Sequence, residues 1–285
     1  MSKKKKVPKP VAPTGVPEVD LLAAIQPTIQ DYINAVSAYV RTQSTLAAGP
    51  KKAGQIRLSN GLSRALANEL VAKLPALKDR LVTQEKKVAG GLRTVNADVS
   101  ESHELDGLRL AVELKPINLA VGRAIWNRFG DIRTFAVNIH LKFPFAVVGG
   151  VLVIPTYEIT GTKAAKEAEI EEIQEEEDVD TEQALEIVEL EEALPVAIAA
   201  VAAAPTSGVK RPTTHLIERA IDRLVRAGGR KSEAESTHLL EGIAVLVYDP
   251  DTATIHPTLP PAGSRLRWDE FVDDIATSRR ARFED

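Results

Sequence analysis

The apolar residues in the first third of the chain recur at steps of three and four, which is the spacing of one face of an α-helix. The first stripe starts after Asp20 and consists of Leu22, Ile25, Ile29, Ile33, Val36 and Val40. A segment rich in glycine, proline and lysine at 49–54 precedes the second stripe, which consists of Leu62, Leu66, Leu70 and Leu74. Ser59 or Asn60 is the expected N-cap of the second helix. The pattern predicts two amphipathic helices.

The central and C-terminal parts of the chain alternate between strand and helix patterns. The spacing predicts a helix from Asn118 to about Arg133, and the nearly continuous apolar run from Phe145 to Ile154 is typical of a strand covered on both faces. A helix after Arg211, a strand at Ile243–Tyr248 and a helix from about Asp269 follow. This alternation predicts an α/β (or α+β) fold in which helices flank a central mixed sheet.

The charge of the chain is distributed unevenly. Residues 167–192 carry 14 acidic and no basic side chains, so the net charge of −4 becomes +10 when this segment is set aside. The segment lies within an acidic and alanine-rich stretch at 161–208, which we expect to be a mobile low-complexity insertion. Residues 1–16 combine lysines with prolines and are expected to form a disordered basic arm. We expect one domain, formed by 17–160 and completed by 209–285.

The composition excludes several classes of protein. The 285 residues include no cysteine, which excludes a disulfide scaffold, thiol catalysis and a zinc site with cysteine ligands. No apolar run approaches the roughly 18 residues that a membrane span requires, and the N-terminus does not resemble a signal peptide. We expect a cytoplasmic protein without a membrane partner. The basic remainder of the chain permits a polyanionic partner.

A β-hairpin is predicted in the middle of the chain, where the segments 92–104 and 108–115 flank Asp106-Gly107. Successive side chains of a strand point to opposite faces, so the second strand of this hairpin has two distinct faces. The face expected to enter the core consists of Leu108, Leu110, Val112 and Leu114, and the other face consists of Arg109, Ala111, Glu113 and Lys115.

The turn determines which residues of the two strands are paired. If Asp106-Gly107 is a two-residue loop, Asp98 lies opposite Lys115, and Ser100 lies opposite Glu113. Directly paired residues share a face, so Asp98, Glu113 and Lys115 are expected to converge on one surface. Two carboxylates beside an ammonium suit the hydrolysis of a phosphodiester, because Mg²⁺ takes one or two carboxylates together with water and substrate phosphate.

Asp98, followed by Glu113-Leu114-Lys115 on the next strand, resembles the PD-(D/E)XK motif of restriction-endonuclease-like nucleases. Ala97 stands where the name of the motif has proline. The expected order of elements over roughly residues 55 to 155 is similar as well: a helix, a hairpin that carries the motif, a helix and a buried strand. The resemblance implies a restriction-endonuclease-like core, here with an acidic insertion.

The resemblance also implies a function. It implies a Mg²⁺-dependent endonuclease that cleaves double-stranded DNA, most often as a homodimer, and we expect a restriction or phage-defence enzyme. A repair or recombination nuclease of the same fold is an alternative. Residue by residue, the resemblance assigns metal binding to Asp98 and Glu113 and a catalytic lysine to Lys115. Some members add a helix glutamate, and Glu69, at the edge of the second helical stripe, is the candidate.

Two groups of residues are candidates for DNA binding. The group expected to contact phosphates or base edges follows the motif on a helix and consists of Arg123, Asn127 and Arg128. The group expected to follow the phosphate backbone forms a stripe on the helix after Arg211 and consists of Arg219, Arg223 and Arg226. An ordinary solvated helix surface is the alternative interpretation for both groups.

A different class of protein is also compatible with the pattern. Exposed ladders of opposite charge are common on strands, so Asp98, Glu113 and Lys115 could be surface charges. The chain would then be a non-catalytic nucleic-acid-binding or assembly protein with an acidic interaction segment. A second Glu-x-Lys, Glu85-Lys86-Lys87, lies in a segment with a helical or turn pattern and without a partnered acid, and we expect it to have no part in the chemistry.

Overall fold

The computed structural model of the chain describes residues 26–42, 48–117, 121–160 and 209–283. Within these ranges the helices are α1 (Ile29–Thr42), α2 (Ala48–Lys73), α3 (Val121–Lys142), α4 (Thr214–Ala227) and α5 (Trp268–Phe283). The strands are β1 (Leu81–Val82), β2 (Lys86–Ala89), β3 (Thr94–Ala97), β4 (Val99–His103), β5 (Gly107–Pro116), β6 (Val147–Pro155), β7 (Tyr157–Thr160), β8 (Val209–Pro212), β9 (Gly242–Asp249) and β10 (Thr254–Ile255).

Six of these strands form one mixed sheet in the order β1-β4-β5-β6-β9-β10. β1, β4 and β5 are antiparallel neighbours, whereas β5, β6 and β9 run parallel. Parallel neighbours need crossover connections. α3 lies in the crossover between β5 and β6, and α4 lies in the one between β6 and β9. The prediction of a mixed sheet flanked by helices is confirmed.

The sheet has a hydrophobic core on each face. The first core lies between the sheet and helices α1, α2 and α5, and the second lies between the sheet and helices α3 and α4. β6 is buried along its whole length, as predicted, because its side chains alternate between the two cores. A Cβ on Gly149 would lie 3.0 Å from Phe271 of α5, and a Cβ on Gly150 would collide with Ile132 of α3. The glycine pair therefore lets a helix approach β6 closely on either face.

The second predicted helix differs from the structure at its N-terminus. α2 begins at Ala48, so the break predicted at 49–54 and the N-cap predicted at Ser59 or Asn60 are wrong. Pro50 is tolerated because it lies in the first turn, where a backbone N–H has no intrahelical acceptor. The predicted apolar stripe is buried in the first core: Leu62, Leu66, Leu70 and Leu74.

The other helices follow their predicted stripes with different ends. α1 begins at Ile29, and the earlier residues of its predicted stripe, Leu22 and Ile25, lie outside the described residues. α3 continues to Lys142 instead of ending near Arg133. It continues because the apolar stripe does: Phe135, Ala136 and Ile139 are all buried in the second core.

The hairpin between β4 and β5 differs from the predicted one in its register. Its loop consists of residues 104–106, and β5 begins at Gly107, whose φ of +72° lies in the left-handed region. Ser100 therefore pairs with Ala111, and the predicted pairing of Ser100 with Glu113 is wrong. A three-residue loop followed by a left-handed glycine is the usual alternative to the two-residue turn.

Arg109 is the extra residue of a β-bulge in β5, since Glu101 pairs with Leu110 and Ser102 pairs with Leu108. The bulge reverses the alternation of side chains beyond it, so Leu108 belongs to the second core and its predicted position is wrong. The other residues of the predicted apolar face lie in the first core: Leu110, Val112 and Leu114.

A two-stranded ribbon, β2–β3, branches off the main sheet. The segment 92–104 is not one strand, because β3 ends at Ala97, β4 begins at Val99, and Asp98 lies between them. The segment Glu85-Lys86-Lys87 leads into β2, so the helical or turn pattern predicted for it is wrong. The pairing of β2 with β3 is a contact that the local pattern does not reveal.

β7 and β8 form a second ribbon, in which Thr160 is the Cα partner of Val209. The predicted insertion, 161–208, and the predicted basic arm, 1–16, lie outside the described residues. β9 pairs with β6, so segments on both sides of 161–208 contribute strands to one sheet. Among the described helices, none has the length and hydropathy required to cross a membrane.

Candidate active site

Glu113 and Lys115 lie on one face of β5, as the alternation predicts. The ammonium of Lys115 lies 2.5 Å from Oε1 of Glu113. β5 lies between β4 and β6 inside the sheet, so Glu113 is only 9% exposed and Lys115 is partly buried. The pair is therefore a largely buried ion pair and not an exposed ladder of charges.

Asp98 lies beside this pair because the chain passes at this residue from the ribbon strand β3 to the main-sheet strand β4. Its backbone N–H donates a hydrogen bond to the carbonyl of Val112 (3.1 Å), and its Oδ2 accepts one from the N–H of Leu114 (2.6 Å). These two bonds attach Asp98 to the backbone on either side of Glu113. The predicted position opposite Lys115 is wrong, but the predicted proximity of the three side chains is confirmed.

The three residues line one cavity of about 560 Å³. β5, α3 and the ribbon β2–β3 contribute most of its residues, and α2 contributes one. The cavity is lined by Ser59, Glu85, Arg93, Thr94, Val95, Asn96, Asp98, Glu113, Leu114, Lys115, Arg128, Asp131 and Phe135. Most of these side chains are polar or charged, so the cavity suits a charged and hydrated ligand rather than an apolar one.

Burial dominates the electrostatics of the two carboxylates. Burial raises the pKa of Glu113 to about 7, although Lys115 acts in the opposite direction. Burial also raises the pKa of Asp98, and the nearby Glu85 adds to the rise. Burial lowers the pKa of Lys115, but Glu113, Asp131 and Asp98 together outweigh it, so this pKa lies above its ordinary value. Lys115 is therefore a cation at neutral pH, beside two carboxyl groups that burial makes easier to protonate.

Three charged residues of the cavity were not expected from the sequence: Glu85, Arg93 and Asp131. Glu85 belongs to the second Glu-x-Lys, which was expected to have no part in the chemistry, and it nevertheless lines the cavity. Asp131 forms an ion pair with Arg128 (3.2 Å), and their i, i+3 spacing on a helix was a usable signal. Glu85 and Arg93 gave no such signal, because the ribbon β2–β3 brings them to the cavity.

Glu69 lies away from the cavity. Ser59 is the residue of α2 that lines the cavity, and Glu69 follows it by about 15 Å along the helix axis. Glu69 is half-buried, and burial raises its pKa, while Trp268 and Lys73 lower it. The structure therefore does not bring Glu69 to the three motif residues, and the residue lies instead where α2 contacts Trp268 of α5.

The two predicted DNA-binding groups lie in different places. Arg128 lines the cavity, Asn127 is partly exposed beside it on α3, and Arg123 lies in the first turn of that helix. The second group is exposed on α4, as predicted, and consists of Arg219, Arg223 and Arg226. The guanidinium of Arg223 lies 4.8 Å from the ring centroid of Trp126, which is a cation–π contact. None of the second group lines the cavity.

The carboxylates of the cavity are oxygen ligands of the kind that Mg²⁺ takes. Within the described ranges, no group of three or more His, Cys, Asp or Glu side chains is arranged to hold a metal. Mg²⁺ needs only one or two protein carboxylates, because it keeps several waters and takes substrate phosphate as a ligand. Asp98 and Glu113 supply two such carboxylates.

Searches of family models, curated proteins and solved structures gave no match to this chain. The chemistry therefore has to be argued from the site itself. It contains two carboxylates that can hold a hard cation, and a lysine that remains charged. It also contains arginines that can bind phosphate. Such a set suits the binding and hydrolysis of a phosphate ester.

Proposed function

We propose that this chain is a Mg²⁺-dependent endonuclease that hydrolyses the phosphodiester bonds of double-stranded DNA, in restriction or phage defence. The observation that carries the proposal is the convergence of Asp98, Glu113 and Lys115 in one polar cavity. The order of elements supports it, since α2, the hairpin β4–β5, α3 and the buried β6 follow the order that the motif implies for a restriction-endonuclease-like core.

Asp98 and Glu113 would hold the Mg²⁺ ion. When bound, the ion supplies a nucleophilic water and neutralises charge on the phosphate. Glu113 would have to be deprotonated to act as a ligand, and its Oε1 is the oxygen that contacts Lys115 in this structure. The N–H of Leu114 donates to Oδ2 of Asp98 and would hold this carboxylate in position for the ion.

Lys115 orients the attacking water and stabilises the negative charge that develops on the phosphate. The neighbouring Glu113, Asp131 and Asp98 raise its pKa, so the ammonium retains its proton at neutral pH and acts as a cation. A fixed cation in a partly buried site stabilises a developing charge more strongly than one in open water. Arg128, on the wall formed by α3, is the second candidate for contact with the phosphate.

Conversion of supercoiled plasmid to nicked or linear forms tests the proposal. We expect the purified full chain to convert plasmid in Mg²⁺ and not in EDTA. Lys115→Met, which keeps the length of the side chain without its charge, should reduce the rate at least about a hundredfold. Lys87→Ala is the matched control, because Lys87 is exposed on β2 and does not line the cavity. Equal rates for wild type and Lys115→Met would refute the role of this lysine.

A second function is favoured by the contact between Lys115 and Glu113, which satisfies both charges without any ligand. In that case the chain is a non-catalytic nucleic-acid-binding or assembly protein, and the pair stabilises the sheet. Such a protein shifts DNA in a binding assay but leaves plasmid intact in Mg²⁺ and in Mn²⁺. Lys115→Met would then lower the melting temperature.

We also propose that the enzyme acts as a homodimer. One cavity can hydrolyse one strand at a time, so cleavage of both strands in a single encounter requires two copies. Light scattering during size-exclusion chromatography measures the mass directly. A monomer on DNA that only nicks the plasmid would contradict this part of the proposal.

A further inference from the structure

The ribbon β2–β3 has one face on the protein and one face on the cavity. Val88, Val95 and Ala97 are buried in the second core. Thr94 and Asn96, which alternate with them, are exposed and line the cavity. The ribbon is therefore a polar wall of the cavity that the core supports from behind.

Asn138 fixes the tip of this ribbon to α3. The N–H of Gly91 donates to the backbone carbonyl of Asn138 (2.7 Å), and the N–H groups of Leu92 and Arg93 donate to its Oδ1 (3.2 and 2.9 Å). Asn138 is 1% exposed, and its Nδ2 donates to the carbonyl of Thr134 (3.0 Å). One buried side chain thus fixes the backbone at Arg93.

Two glycines allow this close contact. The N–H of Gly90 donates to the carbonyl of Arg93 (2.9 Å), which closes the tip of the ribbon. A Cβ on Gly91 would collide with the side chain of Leu141 on α3. The tip therefore lies directly against the helix, and a larger residue at Gly91 would push it away.

Arg93 differs from the other cations that line the cavity. Lys115 is paired with Glu113, and Arg128 is paired with Asp131. The side chain of Arg93 is exposed, and among the described residues it has neither an ion-pair nor a hydrogen-bond partner. A guanidinium on a fixed backbone, facing a polar cavity with its donors free, is suited to an anion from outside the protein.

We propose that Arg93 binds a backbone phosphate of the DNA strand next to the phosphate that is hydrolysed, and that Asn138 is the residue that positions it. This inference rests on the proposed function. A guanidinium can form two parallel hydrogen bonds with a phosphate, and a fixed backbone reduces the entropy lost on binding. A phosphate contact of this kind orients the strand without reading its sequence.

Anisotropy of a labelled DNA duplex in Ca²⁺, measured over a range of salt, tests the role of Arg93. We expect Arg93→Ala to raise the Kd about tenfold at low salt and to reduce the slope of log Kd against log salt by about 0.9. Its single-turnover cleavage rate at saturating DNA in Mg²⁺ should fall less than about threefold, because Arg93 does not contact the reacting atoms. Arg80→Ala removes the same charge from an exposed residue outside the cavity and should change neither quantity.

A double-mutant cycle tests the role of Asn138. Asn138→Ala should weaken DNA binding about as much as Arg93→Ala, and it should add nothing when Arg93 is already alanine. Gly91→Ala displaces the tip without changing any polar group, and it should give the same result if Asn138→Ala does not fold. Melting temperatures establish which variants are folded.

The outcomes separate this inference from the proposed function. If Arg93→Ala and Arg80→Ala have equal effects while the wild type cleaves DNA, the inference is overturned and the nuclease proposal stands. If Asn138→Ala weakens binding further in the Arg93→Ala background, its positioning role is overturned. A wild type that neither binds nor cleaves DNA overturns both.

Discussion

Among single residues, Asp98 has two roles that different substitutions separate. Its Oδ2 accepts the N–H of Leu114, a buried residue, while the carboxylate faces the cavity. Asp98→Ala leaves that N–H without an acceptor, which costs about 1–3 kcal/mol of stability. Asp98→Asn keeps an acceptor but removes the ionisable carboxyl group, whose pKa is raised by burial.

We therefore expect both variants of Asp98 to lose cleavage, but only Asp98→Ala to lose stability. Urea denaturation measures the stability of each variant, and plasmid conversion in Mg²⁺ measures its activity. Equal stability of the two variants would show that the hydrogen bond to Leu114 contributes little. Wild-type activity in Asp98→Asn would remove Asp98 from the proposed metal site.

Glu113 gives the site a pH dependence in the neutral range. Its pKa of about 7 means that it is largely protonated below this pH and cannot bind Mg²⁺ in that form. A carboxyl with an ordinary pKa would be fully ionised from about pH 6 upward and would add no slope there. We expect the cleavage rate at low Mg²⁺ to rise between about pH 6 and pH 8 and then to level off.

The Mg²⁺ concentration should move this profile, because the metal and the proton compete for Glu113. Raising Mg²⁺ should shift the midpoint to lower pH. Cleavage rates measured from about pH 5.5 to pH 8.5 at two Mg²⁺ concentrations check both expectations. A midpoint that does not depend on Mg²⁺ would assign the titration to another group.

At the scale of elements, the hairpin β4–β5 shows why Asp98, Glu113 and Lys115 were predicted to lie together although the predicted register was wrong. The three-residue loop shifts the pairing by three positions, so that His103 meets Gly107 instead of Leu110. The bulge at Arg109 reduces this shift by one position, so that Val99 pairs with Val112 instead of Leu114. A net shift of two residues preserves the face of every side chain beyond the bulge. Asp98 therefore still meets Glu113 and Lys115.

Periodicity predicted the helices whose side chains alternate between core and solvent, such as α2, α3 and α4, and a continuous apolar run predicted β6, which is covered on both faces. It did not predict contacts that depend on pairing between distant segments. The ribbon β2–β3 is the main example, because Glu85 and Arg93 reach the cavity only through it. Glu69 shows the converse limit. It lies at the edge of an apolar stripe, and the stripe does not indicate which end of the long helix reaches the cavity.

The ribbon β7–β8 makes the segment 161–208 replaceable in principle. Thr160 and Val209 are Cα partners, so a turn or a short Gly/Ser linker can join them without moving either strand. We expect such a deletion variant to unfold cooperatively and to cleave plasmid at the same rate or faster, because 14 acidic residues are removed. Calorimetry and plasmid conversion check this. Loss of the cooperative transition would show that the segment belongs to the core.

At the scale of the whole molecule, a buried ion pair joins the last helix to the sheet. The guanidinium of Arg279 on α5 donates to both carboxylate oxygens of Glu101 on β4 (3.1 and 2.8 Å), and both side chains are about 1% exposed. Removing one partner leaves a buried charge without compensation, which costs about 3–5 kcal/mol, whereas replacing both with apolar residues costs much less.

We expect Arg279→Leu to lower the free energy of unfolding by about 3–5 kcal/mol, and the double variant Glu101→Leu with Arg279→Leu to recover most of this loss. Urea denaturation of the wild type, both single variants and the double variant completes the cycle. Arg280→Leu, an exposed neighbour on α5, is the control. A double variant as unstable as Arg279→Leu would mean that packing, not charge, determines the effect.

The two outer strands of the main sheet restrict how copies of this chain can meet. β1 and β10 are only two residues long. Beyond β10, loop residues already form hydrogen bonds with the backbone of β9: the N–H of His256 donates to the carbonyl of Val247, and the N–H of Val245 donates to the carbonyl of Leu266. A second chain therefore finds no long free edge along β9 on which to add a strand, which also protects the sheet from fibrillar growth. If the proposed homodimer uses this side of the main sheet, it would form through side chains and not through strand pairing with β9, so surface substitutions there should control its assembly.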